Sequence, residues 1–268
     1  MTTIDLHTHT NFCDGNDSPR EMVEEAIKRG FQIFGFSGHS YDPSVEPYSM
    51  TLEGTEQYKA EVTALKEEYK DKLVIFLGLE QDYYSIPYGE GYDYIIGSVH
   101  NIIKNGILFP VDLCPEELEK VLNEQYNGDF ETFAEEYFQV VEDVVNKTDC
   151  DIIGHIDLVS KFIETHPRVL TDRYKNAALK AVKTLIPYDR FFEINVGAMT
   201  RGYRTAPYPD PFILKEINRL GGKIVINGDC HNKEWLGDHL DTAIKIAKEC
   251  GFSERYILTR NGWIAEKI

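Results

Sequence analysis

The sequence has no Cys-x-x-Cys pair, no dense basic run and no apolar stretch approaching the length of a membrane span. Its five cysteines (Cys13, Cys114, Cys150, Cys230 and Cys250) are scattered and odd in number. That argues against a disulfide framework and points to reduced thiols in a cytoplasmic protein. The N-terminus lacks an apolar signal core, so neither export nor membrane anchoring is expected. Positive charge is scarce: 28 Lys and Arg stand against 45 Asp and Glu, a formal net charge of -17. An extended nucleic-acid surface needs patches of Lys and Arg, and this balance argues against one. It would also repel an anionic substrate at long range, so a phosphate site would need its own local positive charge. Metal ions supply such charge. The expected partner is a small molecule, with neither nucleic acid nor membrane involved. Composition does not specify an oligomeric state.

What the chain does contain is alternation. Thr2–Leu6, Gln32–Phe36, Leu73–Leu79, Tyr94–Val99, Cys150–Gly154, Phe191–Asn195 and Lys223–Asn227 read as short buried strands. Between them lie helical segments at Pro19–Arg29, Leu52–Tyr69, Pro115–Gln125, Phe130–Asn146, Arg173–Ile186, Pro211–Leu220 and Asp241–Cys250. The first helix opens with Ser18 as N-cap, Pro19 at the first position and Glu21 completing a capping box. Asn105-Gly106 signals a hairpin turn within Ile102–Asp112. Gln81–Tyr92 reads as a loop or short hairpin, Gly197–Tyr208 as a polar loop, and Tyr256–Leu258 as a short terminal strand at best. With no linker or low-complexity segment, one α/β domain spanning residues 1–268 is expected. An open doubly wound sheet would gather its ligands at one switch point, whereas here chemically capable residues follow nearly every strand. A closed barrel places them so, at its C-terminal rim.

Six of the eight histidines fall at strand ends: His7, His9, His39, His100, His155 and His231. Asp14, Glu80 and Asp229 accompany them. Residues two apart on an extended chain point the same way, so His7 and His9, and again Asp229 and His231, project together. These are more donors than one tetrahedral ion can use, and Glu80 is placed to bridge two ions. His166 and His239 read as surface residues, Cys230 as a small core residue facing the helices, and Cys13 as a neighbour of Asp14.

In order along the chain come His-x-His (His7, His9), Gly-x-Glu (Gly78–Glu80), Gly-Ser-Val-His (Gly97–His100), Gly-His-Ile-Asp (Gly154–Asp157), Glu-Ile-Asn (Glu193–Asn195) and Asp-x-His (Asp229–His231). Together they resemble the polymerase and histidinol phosphatase (PHP) superfamily, most closely its monofunctional histidinol-phosphatase branch. The resemblance implies a distorted (β/α)7 TIM-like barrel with two to three divalent transition metals, whether zinc, manganese or iron. It carries the ligand role to His7, His9, Asp14, His39, Glu80, His100, His155, Asp229 and His231. At Asp14 some relatives carry histidine, and where this chain has Ser160-Lys161 relatives often place arginine.

The reaction so implied is hydrolysis of L-histidinol phosphate to L-histidinol and phosphate, as in histidine biosynthesis. Arg201, Arg204 and Lys161, with Ser98, are the candidate substrate-binding residues, and Asp229, His231 and Arg201 the candidate catalytic ones. Asp5, Asp157 and Asn195 are expected to orient the ligand imidazoles. Acceptors for the substrate's ammonium and imidazole are sought among Tyr41, Asp42, Glu46 and Tyr48, and among Asp82, Tyr83 and Tyr84. The alternatives are a phosphoesterase acting on nucleotides or phosphodiesters, an amidohydrolase-type barrel cleaving C–N bonds, and a non-catalytic metal-binding domain. No lysine stands at a strand end where Glu80 does, which disfavours the second.

Overall fold

The alternation yields a ring of parallel strands, seen in a computed structural model that describes residues 1–45, 48–87 and 89–268. Four strands come first: β1 (Ile4–Asp5), β2 (Ile33–Phe36), β3 (Val74–Asp82) and β4 (Tyr94–Ser98). An antiparallel hairpin follows, β5 (Asn101–Lys104) and β6 (Ile107–Pro110), turning at the expected Asn105-Gly106. Then β7 (Ile152–Ile153), β8 (Phe191–Asn195) and β9 (Lys223–Asn227) complete a seven-stranded parallel sheet ordered β1-β2-β3-β4-β7-β8-β9. Its ends meet. Thr8 bridges Cys230, His9 N donates to Cys230 O (2.9 Å), and Cys230 N donates to His7 O (3.1 Å). This is the nearly closed barrel the sequence predicts.

The helices are α1 (Pro19–Lys28), α2 (Leu52–Glu68), α3 (Pro115–Tyr126), α4 (Phe130–Val141), α5 (Val144–Thr148), α6 (Asp172–Leu185), α7 (Gly197–Thr200), α8 (Pro211–Arg219) and α9 (Leu240–Glu249). The capping box at Ser18 forms, and Met22, Val23 and Ala26 are the buried stripe of α1. Among the described residues no helix is long and apolar enough to cross a membrane.

Four elements differ from expectation. Strand β3 continues through Asp82, because Gln81 and Asp82 still pair with Gly97 and Ser98 of β4. The segment 130–146 breaks into α4 and α5, and at the break Asp143 Oδ2 accepts the Tyr83 hydroxyl (2.9 Å). The expected loop after β8 begins with the short helix α7. The C-terminus forms a full hairpin, β10 (Glu254–Thr259) and β11 (Gly262–Lys267). Its role explains its presence. Ile257 and Leu258 join Ile4, Ile33, Phe76, Phe191 and Val225 in one apolar cluster inside the barrel, closing the end opposite the strand C-termini. Burying each such side chain contributes roughly 1.5–3 kcal/mol.

Tyr94 fills the middle of the barrel. Its hydroxyl donates to the carbonyls of Leu6 and Phe36. A Cβ on Gly35 would lie 2.4 Å from that hydroxyl, and one on Gly78 2.2 Å from the ring. Glycine at both positions therefore lets one tyrosine seal the barrel beneath the residues at its rim.

Candidate metal centre

Each strand delivers its last inward residue to the same mouth, and Glu80, from β3, lies at the centre. Its Oε2 is 3.3 Å from His7 Nε2, 3.5 Å from His9 Nε2 and 3.0 Å from His39 Nδ1. Its Oε1 is 3.5 Å from His100 Nε2 and 3.0 Å from His155 Nε2. One carboxylate, 1 % exposed, thus touches five imidazoles. Asp229 Oδ1 lies 3.4 Å from His9 Nε2 and 3.5 Å from His231 Nδ1. Asp14 stands across the mouth, with Oδ1 3.6 Å from His39 Nε2 and Oδ2 3.3 Å from His231 Nε2. The nine residues expected as ligands are therefore brought together. They form overlapping sets: His9, Asp14, His39 and His231; His7, His155 and Asp229; His7, His9 and Glu80; His39, Glu80 and His100.

Electrostatically the cluster is a set of lone pairs seeking cations. Burial pushes the Glu80 carboxyl up, but His7, His39 and His100 outweigh it and hold it well below the usual carboxylate range. Burial likewise opposes ionisation of Asp229, and Arg201, His7 and His231 overcome it. The imidazoles split. Burial lowers His7 and His39, yet their carboxylate neighbours raise both well above the ordinary histidine value. Burial beside His231 and His39 instead pushes His9 down to about 3. His7 Nε2, His9 Nε2, His39 Nδ1 and Glu80 Oε2 are buried and make no hydrogen bond. Buried polar atoms left unbonded are costly. His7, His9 and Glu80 form one such ligand group and His39 joins Glu80 and His100 in another, so divalent cations held there would satisfy these atoms.

A second layer of acids and amides orients these groups. Glu193 Oε1 accepts from His7 Nδ1 (2.7 Å) and Asn227 Nδ2 (2.9 Å), while Oε2 accepts from His155 N and Asn195 Nδ2 (both 3.0 Å). Asp82 Oδ2 accepts from His100 Nδ1 (2.9 Å) and His100 N (3.1 Å). Asp5 acts on the backbone, its Oδ1 accepting from His7 N and Gly228 N (both 3.0 Å).

Sequence reasoning missed Glu193 and cast Asp82 as a substrate acid. Their positions two residues before Asn195 and two after Glu80, on the same strand faces, were the available signal. Of the expected orienting residues, Asn195 works through Glu193. Asp157 meets no imidazole and instead receives Asp210 N (3.0 Å) and faces Arg204.

The candidate substrate-binding residues separate. Arg201 Nη2 donates to Asp229 Oδ2 (3.0 Å), with Nη1 3.1 Å from His231 Nδ1. Its side chain is 22 % exposed at the mouth. Gly197 makes room for this pair, since a Cβ there would lie 2.6 Å from Asp229 Oδ2 and 2.8 Å from Arg201 Nη2. Arg204 is placed otherwise. At 1 % side-chain exposure it donates to Ser160 Oγ (2.7 Å), pairs with Asp157 (3.6 Å) and lies 4.7 Å over the Tyr208 ring. Buried against Ser160, Asp157 and Tyr208, it is closed off from a phosphate at the mouth. Lys161 donates to Asp112 O (2.8 Å) and Oδ2 (2.9 Å), so its charge is already matched. The Ser98 hydroxyl donates to Glu80 Oε1 (2.6 Å), which makes it an orienting group for that carboxylate rather than a substrate contact.

Tyr48 lies edge-on to the His39 ring at 5.1 Å and accepts from Asn101 Nδ2 (2.7 Å). Asp42 is buried, and Ser44 holds its Oδ1. Glu46 lies outside the described residues. His166 and His239 are exposed, as expected. Cys230 is buried in the core shared with the helices, and Cys13 Sγ lies 3.5 Å from His9 Nδ1.

The comparisons with known proteins agree with this geometry. The PHP domain model matches residues 5–197. The histidinol-phosphatase of Bacillus subtilis is 26 % identical over 260 residues, spanning 88 % of this chain and 96 % of its own. The crystal structure of a histidinol phosphate phosphatase from Lactococcus lactis, complexed with zinc, L-histidinol and phosphate, superposes with a TM-score of 0.67 at 25 % identity, covering 95 % of this chain and 96 % of that one. A candidate histidinol phosphatase from Listeria monocytogenes reaches a TM-score of 0.78 at 21 % identity, covering 89 % and 99 %, and thus shares the fold.

Proposed function

Since the chain belongs to the PHP domain family, we propose that it is a metal-dependent phosphomonoesterase hydrolysing L-histidinol phosphate to L-histidinol and inorganic phosphate. The observation that carries this reading is the Glu80 carboxylate set among five imidazoles, beneath an arginine at the same mouth. Two to three divalent ions (zinc, manganese or iron) fit a donor set of neutral nitrogens and carboxylate oxygens. His7, His9, Asp14, His39, Glu80, His100, His155, Asp229 and His231 would hold them. Such ions acidify water and neutralise phosphoryl charge at neutral pH.

The chain's own residues supply the rest. Arg201 aims a guanidinium edge at the mouth and donates to the phosphoryl oxygens, where negative charge is greatest in the transition state. The same arginine keeps Asp229 ionised, as a carboxylate that is to hold an ion must be. His231, at 17 % exposure the most open imidazole of the cluster, is the group placed to protonate the leaving alkoxide where no ion holds it. Glu193, Asp82 and Ser98 fix the tautomers and directions of the ligands around this exchange.

The acidic charge balance disfavours an extended nucleic-acid partner, and neither nucleic acid nor membrane is part of this reading. Phosphate release from purified protein tests it, with L-histidinol phosphate, nucleoside monophosphates, a phosphodiester and p-nitrophenyl phosphate as substrates. L-Histidinol phosphate should give the highest kcat/KM. A preference for nucleotides or the diester would overturn the substrate assignment.

A further inference from the structure

The substrate of the proposed reaction carries its ammonium on the second carbon from the ester oxygen. With the phosphate at the metal centre, the ammonium must then lie within about one side chain of the ligands themselves. Its acceptor is a carboxylate bordering the mouth that keeps an oxygen free and accessible. Most acids there are excluded among the described residues. Glu80, Asp14 and Asp229 belong to the ligand sets. Asp82 gives one oxygen to Tyr84 N and the other to His100. Asp42 is 3 % exposed, closed in beneath its own turn with Ser44.

Asp112 remains. It follows the β5–β6 hairpin directly, and the preceding residue pairs back onto a ligand, Val111 N donating to His100 O (2.9 Å). On its other side Lys161, from the turn that follows His155, clasps Asp112 O (2.8 Å) and Oδ2 (2.9 Å). Asp112 is thereby stitched between the segments carrying His100 and His155. Its side chain is 22 % exposed, against 10 % for Lys161. Oδ1 makes no hydrogen bond among the described residues, while a carboxylate oxygen has lone pairs for two donors. Burial pushes its carboxyl up, but Lys161, His100 and His155 together hold it down, so it stays charged.

We infer that Asp112 Oδ1 receives the substrate's ammonium and that Lys161 is the positioning residue that fixes this carboxylate. The inference rests on the proposed phosphatase reading and deepens it by naming what selects an amine-bearing ester. It also gives Lys161 a role other than the phosphate clamp. A clamp acts on every phosphate ester, whereas a holder of Asp112 acts only on esters that carry the ammonium.

The experiment compares kcat/KM for L-histidinol phosphate with that for its analogue lacking the amine, in wild type, Asp112→Asn, Lys161→Met and Lys161→Arg. Wild type should prefer the amine. Asp112→Asn should reduce that preference about 10- to 100-fold, the scale of one hydrogen bond to a charged group. Lys161→Met should move it in the same direction, and Lys161→Arg should restore it.

Because Asp112→Asn leaves Lys161 unmatched, the double variant Asp112→Asn/Lys161→Met separates lost recognition from lost folding. It should show the same reduced preference and weaker binding of the product L-histidinol by calorimetry. Equal losses on both esters, or an unchanged ratio, would overturn the inference while leaving the phosphatase reading intact. A wild type that hydrolyses neither ester would instead overturn the phosphatase reading, and the inference with it.

Discussion

His7 Nδ1 lies 2.7 Å from Glu193 Oε1, and Glu193 itself receives three further donors, from Asn227, Asn195 and the His155 backbone. A carboxylate met by donors on both oxygens keeps a proton on His7 Nδ1, so Nε2, which faces Glu80 and Asp229, is the nitrogen left to bind an ion. The strand alternation of β8 makes this possible, because Glu193 and Asn195 point inward together.

Glu193→Gln is the sharpest test of that arrangement. The substitution keeps the volume but brings an NH2 group that must face a donor in either orientation, since all four partners donate. The expected outcome is a folded protein whose metal affinity falls roughly 10- to 100-fold, the usual scale for losing such a partner. Competition against a chromophoric chelator measures it, with circular dichroism confirming the fold. Unchanged affinity would mean that the ligands alone orient themselves.

Arg201 and Arg204, three residues apart, should fail in opposite ways. Arg201→Ala removes a donor at the mouth and should lower kcat/KM by about 2–4 kcal/mol with metal content retained. Arg204→Met leaves the Asp157 carboxylate buried without its cation, a change that typically costs about 3–5 kcal/mol of stability. Burial already raises the Asp157 carboxyl, with Arg204 its main counterweight, so the loss is softened as the acid takes up a proton. Denaturant unfolding and steady-state kinetics on both variants separate the roles. A stable, inactive Arg204 variant would contradict the buried placement.

The two arginines also show where a sequence stops being informative. The cluster of candidate ligands was legible because apolar runs ending in His, Asp or Glu recur along the strands, and strand periodicity states which residues share a face. Side chains from loops follow no such period. Arg201 and Arg204 look alike in sequence, and only packing around α7 sends one to Asp229 and buries the other beside Asp157. Lys161 and Asp112 are likewise paired across a separation that no local pattern encodes. Of the β10–β11 hairpin only a short strand at Tyr256–Leu258 was legible, because its turn, Thr259–Gly262, follows a mixed polar strand whose burial depends on the barrel floor it covers.

The histidines also predict how stability depends on pH once the metals are removed. His7, His39 and His100 have folded-state pKa values raised above the ordinary 6.5, in each case by carboxylates that outweigh burial. A raised histidine contributes stability that is complete below about 6.5 and is lost as pH climbs through its folded value. Asp5, raised by burial to about 7, acts in the same direction over the range from its ordinary value to about 7. His9, pushed down to about 3, acts oppositely, favouring the fold above 6.5, but it is one group against four. The lowered carboxylates Glu80 and Asp229 lose their contribution only as pH falls below the ordinary carboxylate range. Metal-stripped protein should therefore lose thermal stability between pH 5.5 and pH 8. Metal binding needs deprotonated imidazoles and strengthens over the same interval. The gap in Tm between loaded and stripped protein should accordingly widen with pH, as read by thermal scans at matched ionic strength. A stripped protein that becomes more stable toward pH 8 would show that the imidazoles are not held by these carboxylates when the ions are gone.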